Sequence, residues 1–395
     1  MSGEAPLVGV RVLELGSTVA APSAGRMLAD LGATVYKVEP PEGDQLRTWG
    51  ALAPDGTSWW FKSHNRNKQL LSFDLRVEQD AARVREIALA CDVVLENFRP
   101  GWLAKSGLDA PSLRARKPQL VYASISGYGQ DGPYAARPGY GNIAEAMGGL
   151  RYITGESDGP PMRMGISIGD ELAGLHAVIG ILAALRARDA GGGGDTIDVS
   201  LVESTFSLLE GALPEYVHTG AITGRTGNRF QRAAPSGVYP TRDGEWLAIG
   251  GNGQTIFRRL AELIGEPALA QDSRFATNQA RVANGADLDE RIATWTRARS
   301  LDEANTALNG AGVPAGPVLS VAQIAADPHM RARGAVAEVR DDDGQLIATY
   351  APVPRLANHP SRLGRAGGAI GRDQREALRD LGLEQSTAST ESFTA

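Results

Sequence analysis

The sequence predicts a two-domain α/β chain whose larger domain is built on a parallel, Rossmann-like sheet, and three observations carry that prediction. Val10 to Leu15 reads as a buried strand, Ala21 to Leu31 as a helix with Pro22 in its first turn, and Thr34 to Glu39 as a second strand. Proline is tolerated at a helix start because the first N–H groups have no intrahelical partner, and a strand, helix, strand succession brings the two strands together in parallel. The alternation then continues toward residue 213. Beyond about residue 221 it gives way to hairpins and consecutive helices, which predicts a smaller α+β domain.

In order, a helix near Val77 to Ala90 leads to a strand at Asp92 to Leu95. A further strand, Gln119 to Ser124, enters the loop Ser126-Gly127-Tyr128-Gly129. Leu172, Leu175, Ile179, Leu182 and Leu185 recur at the spacing of one buried helical face, and the pattern ends in Arg186, Arg188 and the glycines 191–194. Strand Thr196 to Ser200 and helix Leu201 to Leu213 follow. Ala221 to Ala233, rich in Gly, Arg and Thr, reads as a linker. Gly237 to Tyr239 and Trp246 to Ile249 flank Asp243-Gly244, a hairpin signal, and helices dominate from Gln254 to Asn309. A second hairpin is expected around residues 341–344, between Val336 to Arg340 and Ile347 to Tyr350, before a helix at Gln374 to Leu381. Residues 1–220 are thus assigned to the large domain, 221–330 to the linker and small domain, and 331–395 to a return ending in a disordered tail from Gln385 to Thr390.

With 395 residues, 42% of them hydrophobic, the chain can bury a substantial core. A net charge of −6 excludes a general nucleic-acid binder, which needs a dominant basic surface. The single cysteine, Cys91, excludes an internal disulfide framework. No apolar run approaches a membrane span and the first residues lack the pattern of a signal peptide, so a cytoplasmic protein without membrane partners is expected. The five histidines show no metal-ligand spacing, and no metal is expected.

The leading candidate for chemistry is Asp170, in Gly165-Ile166-Ser167-Ile168-Gly169-Asp170, at or just before the first turn of the Leu172 helix. Unpaired N–H groups and the helix dipole favour an ionised carboxylate there, although aspartate is also a preferred helix N-cap. Ligands of parallel sheets bind at the carboxyl ends of the strands, which brings four loops into play. Gly16 to Pro22 offers N–H groups for a phosphate but is not a GxGxxG fingerprint, and Glu39 reads as a solvated strand end. His64-Asn65-Arg66-Asn67-Lys68 would suit a polyphosphate, or is a hydrated turn. Glu96 to Gly101 adds a flat aromatic and a guanidinium, and Ser126 to Gly129 a phenol. Together they describe a groove for an elongated, phosphate-bearing ligand whose reactive end reaches Asp170.

These residues resemble the class III CoA-transferases, the formyl-CoA transferase and carnitine-CoA transferase (CaiB/BaiF) family, over nearly the whole chain. The likeness rests on Leu31-Gly32-Ala33, Val38-Glu39-Pro40-Pro41, Gly43-Asp44, Asn65 to Lys68 with Asp74-Leu75, Glu96 to Gly101, Ser126 to Pro133, Gly165 to Asp170, Ile179 to Leu185 and Gly312 to Pro317. It implies a large domain of the N-terminal half plus the C-terminal segment, and an obligate homodimer of interlocked rings. It also implies coenzyme A contacts at Thr18, Val19, Ala20, Lys68, Leu71, Asn97, Phe98, Arg99, Lys105 and Tyr128. Pro40 and Ser126 stand where some members carry basic residues. The implied reaction moves CoA from an acyl-CoA donor to a small carboxylic acid, with Asp170 as nucleophile and no metal.

Two other readings stand beside this one. The racemase branch of the family uses a His and Asp pair, and the position of that histidine holds Tyr140 here, which counts against racemisation. His176, two turns into the Asp170 helix, reads as a packed core histidine. A non-catalytic CoA or nucleotide binding module is the other alternative. Val19 replaces the glutamine that some formyl and oxalate members carry, and the stretch from Gly149 to Ile168 is more similar to members that use succinyl-CoA. Arg151, Arg163 and Arg229 are candidates for pairing with a distal carboxylate.

Overall fold

The structure, a computed structural model, describes residues 3–384; the expected disordered stretch from Gln385 lies outside the described residues. The described residues divide into two compact units, one of residues 3–150, 164–211 and 331–384, the other of residues 151–163 and 212–330.

The first unit is built on six strands, β1 (Arg11–Glu14), β2 (Thr34–Glu39), β3 (Gln69–Ser72), β4 (Val93–Glu96), β5 (Val121–Ser126) and β6 (Thr196–Ser200). They lie in the order β3-β2-β1-β4-β5-β6 and every pairing is parallel, the expected mixed α/β architecture. Strands covered on both faces carry near-continuous apolar runs, and all six residues of β5 are buried. The helices are α1 (Ala20–Asp30), α2 (Trp59–His64), α3 (Glu78–Ala90), α4 (Ala110–Arg116), α5 (Gly141–Met147), α7 (Ile168–Asp189) and α8 (Leu201–Phe206); the short α6 (Leu150–Ile153) lies where the chain passes into the second unit. One core joins α1 and α7 to β1, β4 and β5 through Ala24, Leu28, Val12, Val93, Val121, Ala177 and Ile181. On the other face, Val84 and Ile87 of α3 meet Leu13, Tyr36, Val94 and Leu71.

Four readings need correction. Helix α7 buries Ala173, Gly174, Ala177, Val178, Ile181, Ala184 and Leu185, while Leu175 and Ile179 are 46% and 63% exposed. The reason is close approach to α1: a methyl added to Gly174 would stand 3.0 Å from the Ala20 carbonyl, so small residues face the neighbour and the leucines do not fit. The same helix, 22 residues with a mean hydropathy of 1.6 over its most apolar window, is long and apolar enough to cross a membrane, contrary to the expectation that no run approaches that length. Here it packs against α1, β5 and β6. The predicted helix from Leu201 to Leu213 is two, α8 and α9 (Ala212–Thr219), separated where Glu210 adopts φ of 49°. Finally, the segment 64–68 is no hydrated turn, for His64, Asn65, Arg66 and Lys68 are all buried.

The second unit holds an antiparallel sheet of β7 (Ser236–Pro240), β8 (Trp246–Gly250) and β9 (Ala315–Pro317). Phe257 of α10 (Gln254–Leu263), Ile292 of α12 (Gly285–Arg297) and Leu308 of α13 (Leu301–Gly310) pack on Tyr239, Leu247 and Ile249; α11 (Asn278–Ala283) lies between α10 and α12 in sequence. After α14 (Val321–Ala326) and α15 (Pro328–Ala332), the chain forms the hairpin β10 (Val336–Arg340) and β11 (Leu346–Tyr350), then α16 (Gln374–Asp380). This last segment covers the outer edge of the parallel sheet. The carboxylate of Asp373 accepts from the Leu70 N–H at 2.8 Å and the Gln374 side chain from the Ser72 N–H at 2.9 Å, so side chains satisfy donors that no strand pairs.

Candidate active site

In an open parallel sheet the ligand crevice forms where strand order reverses, here outside the carboxyl ends of β1 and β4. A cleft of about 470 Å³ opens at that point. Its walls come from the loops after β1 (Gly16, Ser17, Thr18), β4 (Asn97, Phe98, Arg99) and β5 (Ser126, Gly127), with Tyr140 and Asp170 facing the same space.

The β1 loop is held from below by a buried ionic network. Glu14 receives Lys37 at 3.1 Å and Lys68 at 2.7 Å, and Lys37 also lies 3.0 Å from Asp44, all four side chains being essentially without solvent contact. Burial opposes the charge on Lys37, yet the carboxylates of Asp44, Glu14 and Glu39 outweigh it and raise its pKa. Lys68 is pushed down to about 8, burial prevailing over Glu14. Burial would raise the Asp44 carboxyl too, but Lys37 and the N–H groups of Leu46 and Thr18 hold it below its usual range. Asp44 accepts from the Thr18 N–H at 3.0 and 3.1 Å, and Thr18 sits in the left-handed region at φ 62°. That conformation is costly for a threonine and persists because Asp44 anchors it.

The β1 and β4 loops are laced together by Asn97, whose amide accepts from the Ser17 N–H and donates to the Ser17 carbonyl, both at 2.9 Å. The N–H groups of Ser17 and Thr18, expected to meet phosphate, are therefore already bound to side chains. Glu39 is no solvated strand end either: it is buried, grips Arg47 through two 2.7 Å bonds and accepts from the Asp44 N–H. Beneath the β4 loop, burial pushes the Glu96 carboxyl up to about 7, with Asp198 adding to the rise, and Glu96 accepts from the Phe98 N–H at 2.7 Å. Phe98 stacks on Trp102 at 4.4 Å and 9° between planes, presenting a flat aromatic wall to the cleft.

Asp170 is the third residue of α7. The N-cap position belongs to Ser167, so the capping role read for Asp170 is replaced by a first-turn placement in which the dipole favours its negative charge. The carboxylate rests against the backbone of Gly141. A methyl there would stand 2.1 Å from Oδ2, so only glycine lets the two approach. Gly169 in turn packs on the Gly141 carbonyl, 3.1 Å from where its own Cβ would be.

Of the residues read from sequence, Thr18, Ala20, Asn97, Phe98, Arg99 and Asp170 meet in this cleft. Val19, Lys68 and Leu71 are buried, Lys105 is exposed outside the cleft lining, and the Tyr128 hydroxyl contacts the Met147 sulfur at 3.4 Å. Arg151, Arg163 and Arg229 belong to the second unit and Arg229 pairs with Asp289 at 2.5 Å. Sequence reasoning missed Trp102 and Arg137 as parts of the cleft, and Gly141 as the seat of the Asp170 carboxylate. The signal for Gly141 was present in Gly139-Tyr140-Gly141, two glycines flanking an exposed aromatic.

The sequence pattern of CoA-transferase family III matches residues 7–374. The chain is 45% identical over 377 residues to the succinyl-CoA–D-citramalate CoA-transferase of Chloroflexus aurantiacus, covering 95% of this chain and 94% of that one. It is 39% identical over 391 residues to the succinate–glutarate CoA-transferase of Agrobacterium fabrum, covering 97% of each. Among solved structures, a CAIB/BAIF family protein from Brucella suis superposes with a TM-score of 0.85 at 36% identity, over 96% of this chain and 100% of the other. The chain belongs to CoA-transferase family III, and it is a CoA-transferase enzyme.

Proposed function

We propose that the enzyme moves CoA from succinyl-CoA, or a similar donor, to a small dicarboxylate-like acid, with Asp170 as the covalent nucleophile. The observation that carries this reading is one carboxylate, seated on Gly141 at the start of α7, sharing a switch-point cleft with a stacked aromatic wall and the Arg99 guanidinium. The names of the two relatives above support the donor and acceptor class. In this reading the nucleotide end of CoA lies along Phe98 and Trp102, its phosphates near Arg99, and its pantetheine arm along Thr18 and Ala20.

An Asp170 carboxylate oxygen attacks the thioester carbonyl, and collapse of the tetrahedral species breaks the C–S bond to give a mixed anhydride and CoA thiolate. The thiolate attacks the aspartyl carbonyl, releasing the first acid and leaving an aspartyl thioester. The acceptor carboxylate attacks that thioester, expelling thiolate again. The thiolate then takes the acceptor acyl group and restores Asp170. In each exchange an anionic carboxylate or thiolate attacks and an anionic thiolate or carboxylate leaves, so no proton need be moved and no metal enters the scheme. We further infer that the exposed Leu175 and Ile179 are covered by a second chain in a homodimer, and that the enzyme works in the cytoplasm.

The test is Asp170→Asn. The variant is expected to keep its fold and lose turnover, and mass spectrometry of the wild type with succinyl-CoA should show CoA covalently held on the peptide containing Asp170. Full activity in Asp170→Asn, or inactivity of the wild type with succinyl-CoA against a panel of small acids, sinks the respective half of the proposal.

A further inference from the structure

Next to Asp170, Glu171 points the other way, into a buried cluster that the transfer chemistry does not use. Its Oε2 accepts from the Ser23 hydroxyl of α1 at 2.6 Å, and its Oε1 lies 3.0 Å from Nε2 of His64 at the end of α2. A carboxylate only accepts, so Nε2 carries the imidazole proton. The buried Nδ1 of His64, which has no hydrogen-bond partner, is then a bare lone pair rather than an unmet donor. Burial holds His64 below its usual pKa and so neutral at neutral pH. Burial acts to raise the Glu171 carboxyl, but His64 and Ser23 prevail and lower it, so this side chain is ionised beside a neutral imidazole.

The geometry matters because both helices that Glu171 joins begin at the cleft. Ala20, the first residue of α1, lines it, and so does Asp170, the third of α7. Besides Glu171, the two helices meet through Gly174, where an added methyl would stand 3.0 Å from the Ala20 carbonyl and 3.3 Å from Ser23 Cβ. Apolar contact of that kind, here with α1, α5, α8, β5 and β6, sets the seat of α7 but is non-directional. The paired bonds of Glu171 add a directional anchor at the end of α7 that carries Asp170. Successive helical residues lie about 100° apart around the axis, so anchoring Glu171 on α1 and α2 fixes the direction in which Asp170 projects.

We propose that Glu171 is a positioning residue, which through Ser23 and His64 sets the rotation and register of α7 and so keeps the Asp170 carboxylate on Gly141. This inference rests on the reading of Asp170 as nucleophile. It predicts a defect in the chemical step and not in substrate binding, because Glu171 does not touch the cleft.

The experiment measures kcat and KM for succinyl-CoA per folded molecule, thermal stability, and the amount of Asp170-bound CoA, in full-length Glu171→Ala, Glu171→Gln, Ser23→Ala and Asp170→Asn. Glu171→Ala is expected to lower kcat about ten-fold or more, with KM within about two-fold and less trapped adduct, since a displacement of about 1 Å at a reacting group is that costly. Glu171→Gln, whose amide oxygen still accepts from Ser23, should recover most of the loss. Ser23→Ala, which removes one arm without altering α7, should fall between, and it decides the matter if Glu171→Ala folds poorly. Unchanged kcat per folded molecule in Ser23→Ala and Glu171→Ala, with Asp170→Asn inactive, overturns the positioning role and leaves the nucleophile standing. Full activity in Asp170→Asn overturns both.

Discussion

The backbone of Gly141 at the start of α5 supports the carboxylate of Asp170 at the start of α7, with no room between them for a methyl group. Two helix beginnings thereby converge on one oxygen pair, and the carboxylate of Asp170 is seated on a residue that has no side chain.

A Gly141→Ala substitution should therefore displace the carboxylate while costing the fold little, as alanine suits a helix better than glycine. We expect kcat to fall by about 100-fold or more with the melting temperature close to that of the wild type. Comparable kcat in the two proteins would show that the carboxylate tolerates the shift.

Lys68, despite its place in a cation-rich motif, is a structural charge. Removing it leaves Glu14 buried beside Lys37 alone, and Lys68→Met should destabilise the protein by about 3–5 kcal/mol in denaturant unfolding. The KM for acyl-CoA should stay within about two-fold for the folded fraction. A phosphate ligand would behave in the opposite way, raising KM without altering stability.

Glu96 gives stability a specific pH dependence. With its pKa raised from 4.5 to about 7, the native state holds a proton that the unfolded chain has already lost. The stabilisation is complete below about pH 4.5 and is lost as pH rises through 7, a change on the order of 3 kcal/mol. Glu96→Gln keeps an acceptor for the Phe98 N–H and stays neutral, so its unfolding free energy relative to wild type should grow between pH 5 and pH 8, by about that amount. A constant difference across this range would show that Glu96 is ionised throughout.

Much of the parallel sheet was legible in the sequence because buried strands read as apolar runs between turn residues, as at Thr34 to Glu39. Asp170 was legible for a local reason, its place between Gly169 and an apolar helix. What escaped depends on partners distant in sequence. The cations at 66 and 68 look solvated until Asp30 and Glu14 are brought to them. The buried face of α7 was misread because periodicity weighs large side chains, whereas contact with α1 selects Gly174 and Ala177 over Leu175. Strand β3 was missed because its four residues, Gln69–Ser72, follow directly on that charged segment.

The covered edge of β3 bears on how the protein is made. Asp373 and Gln374 close N–H groups of a strand synthesised some three hundred positions earlier. The parallel sheet must wait with one side open while the whole of the second unit is translated. A chain stalled or truncated before residue 373 carries an exposed sheet edge, the kind of surface that chaperones hold and that aggregates recruit.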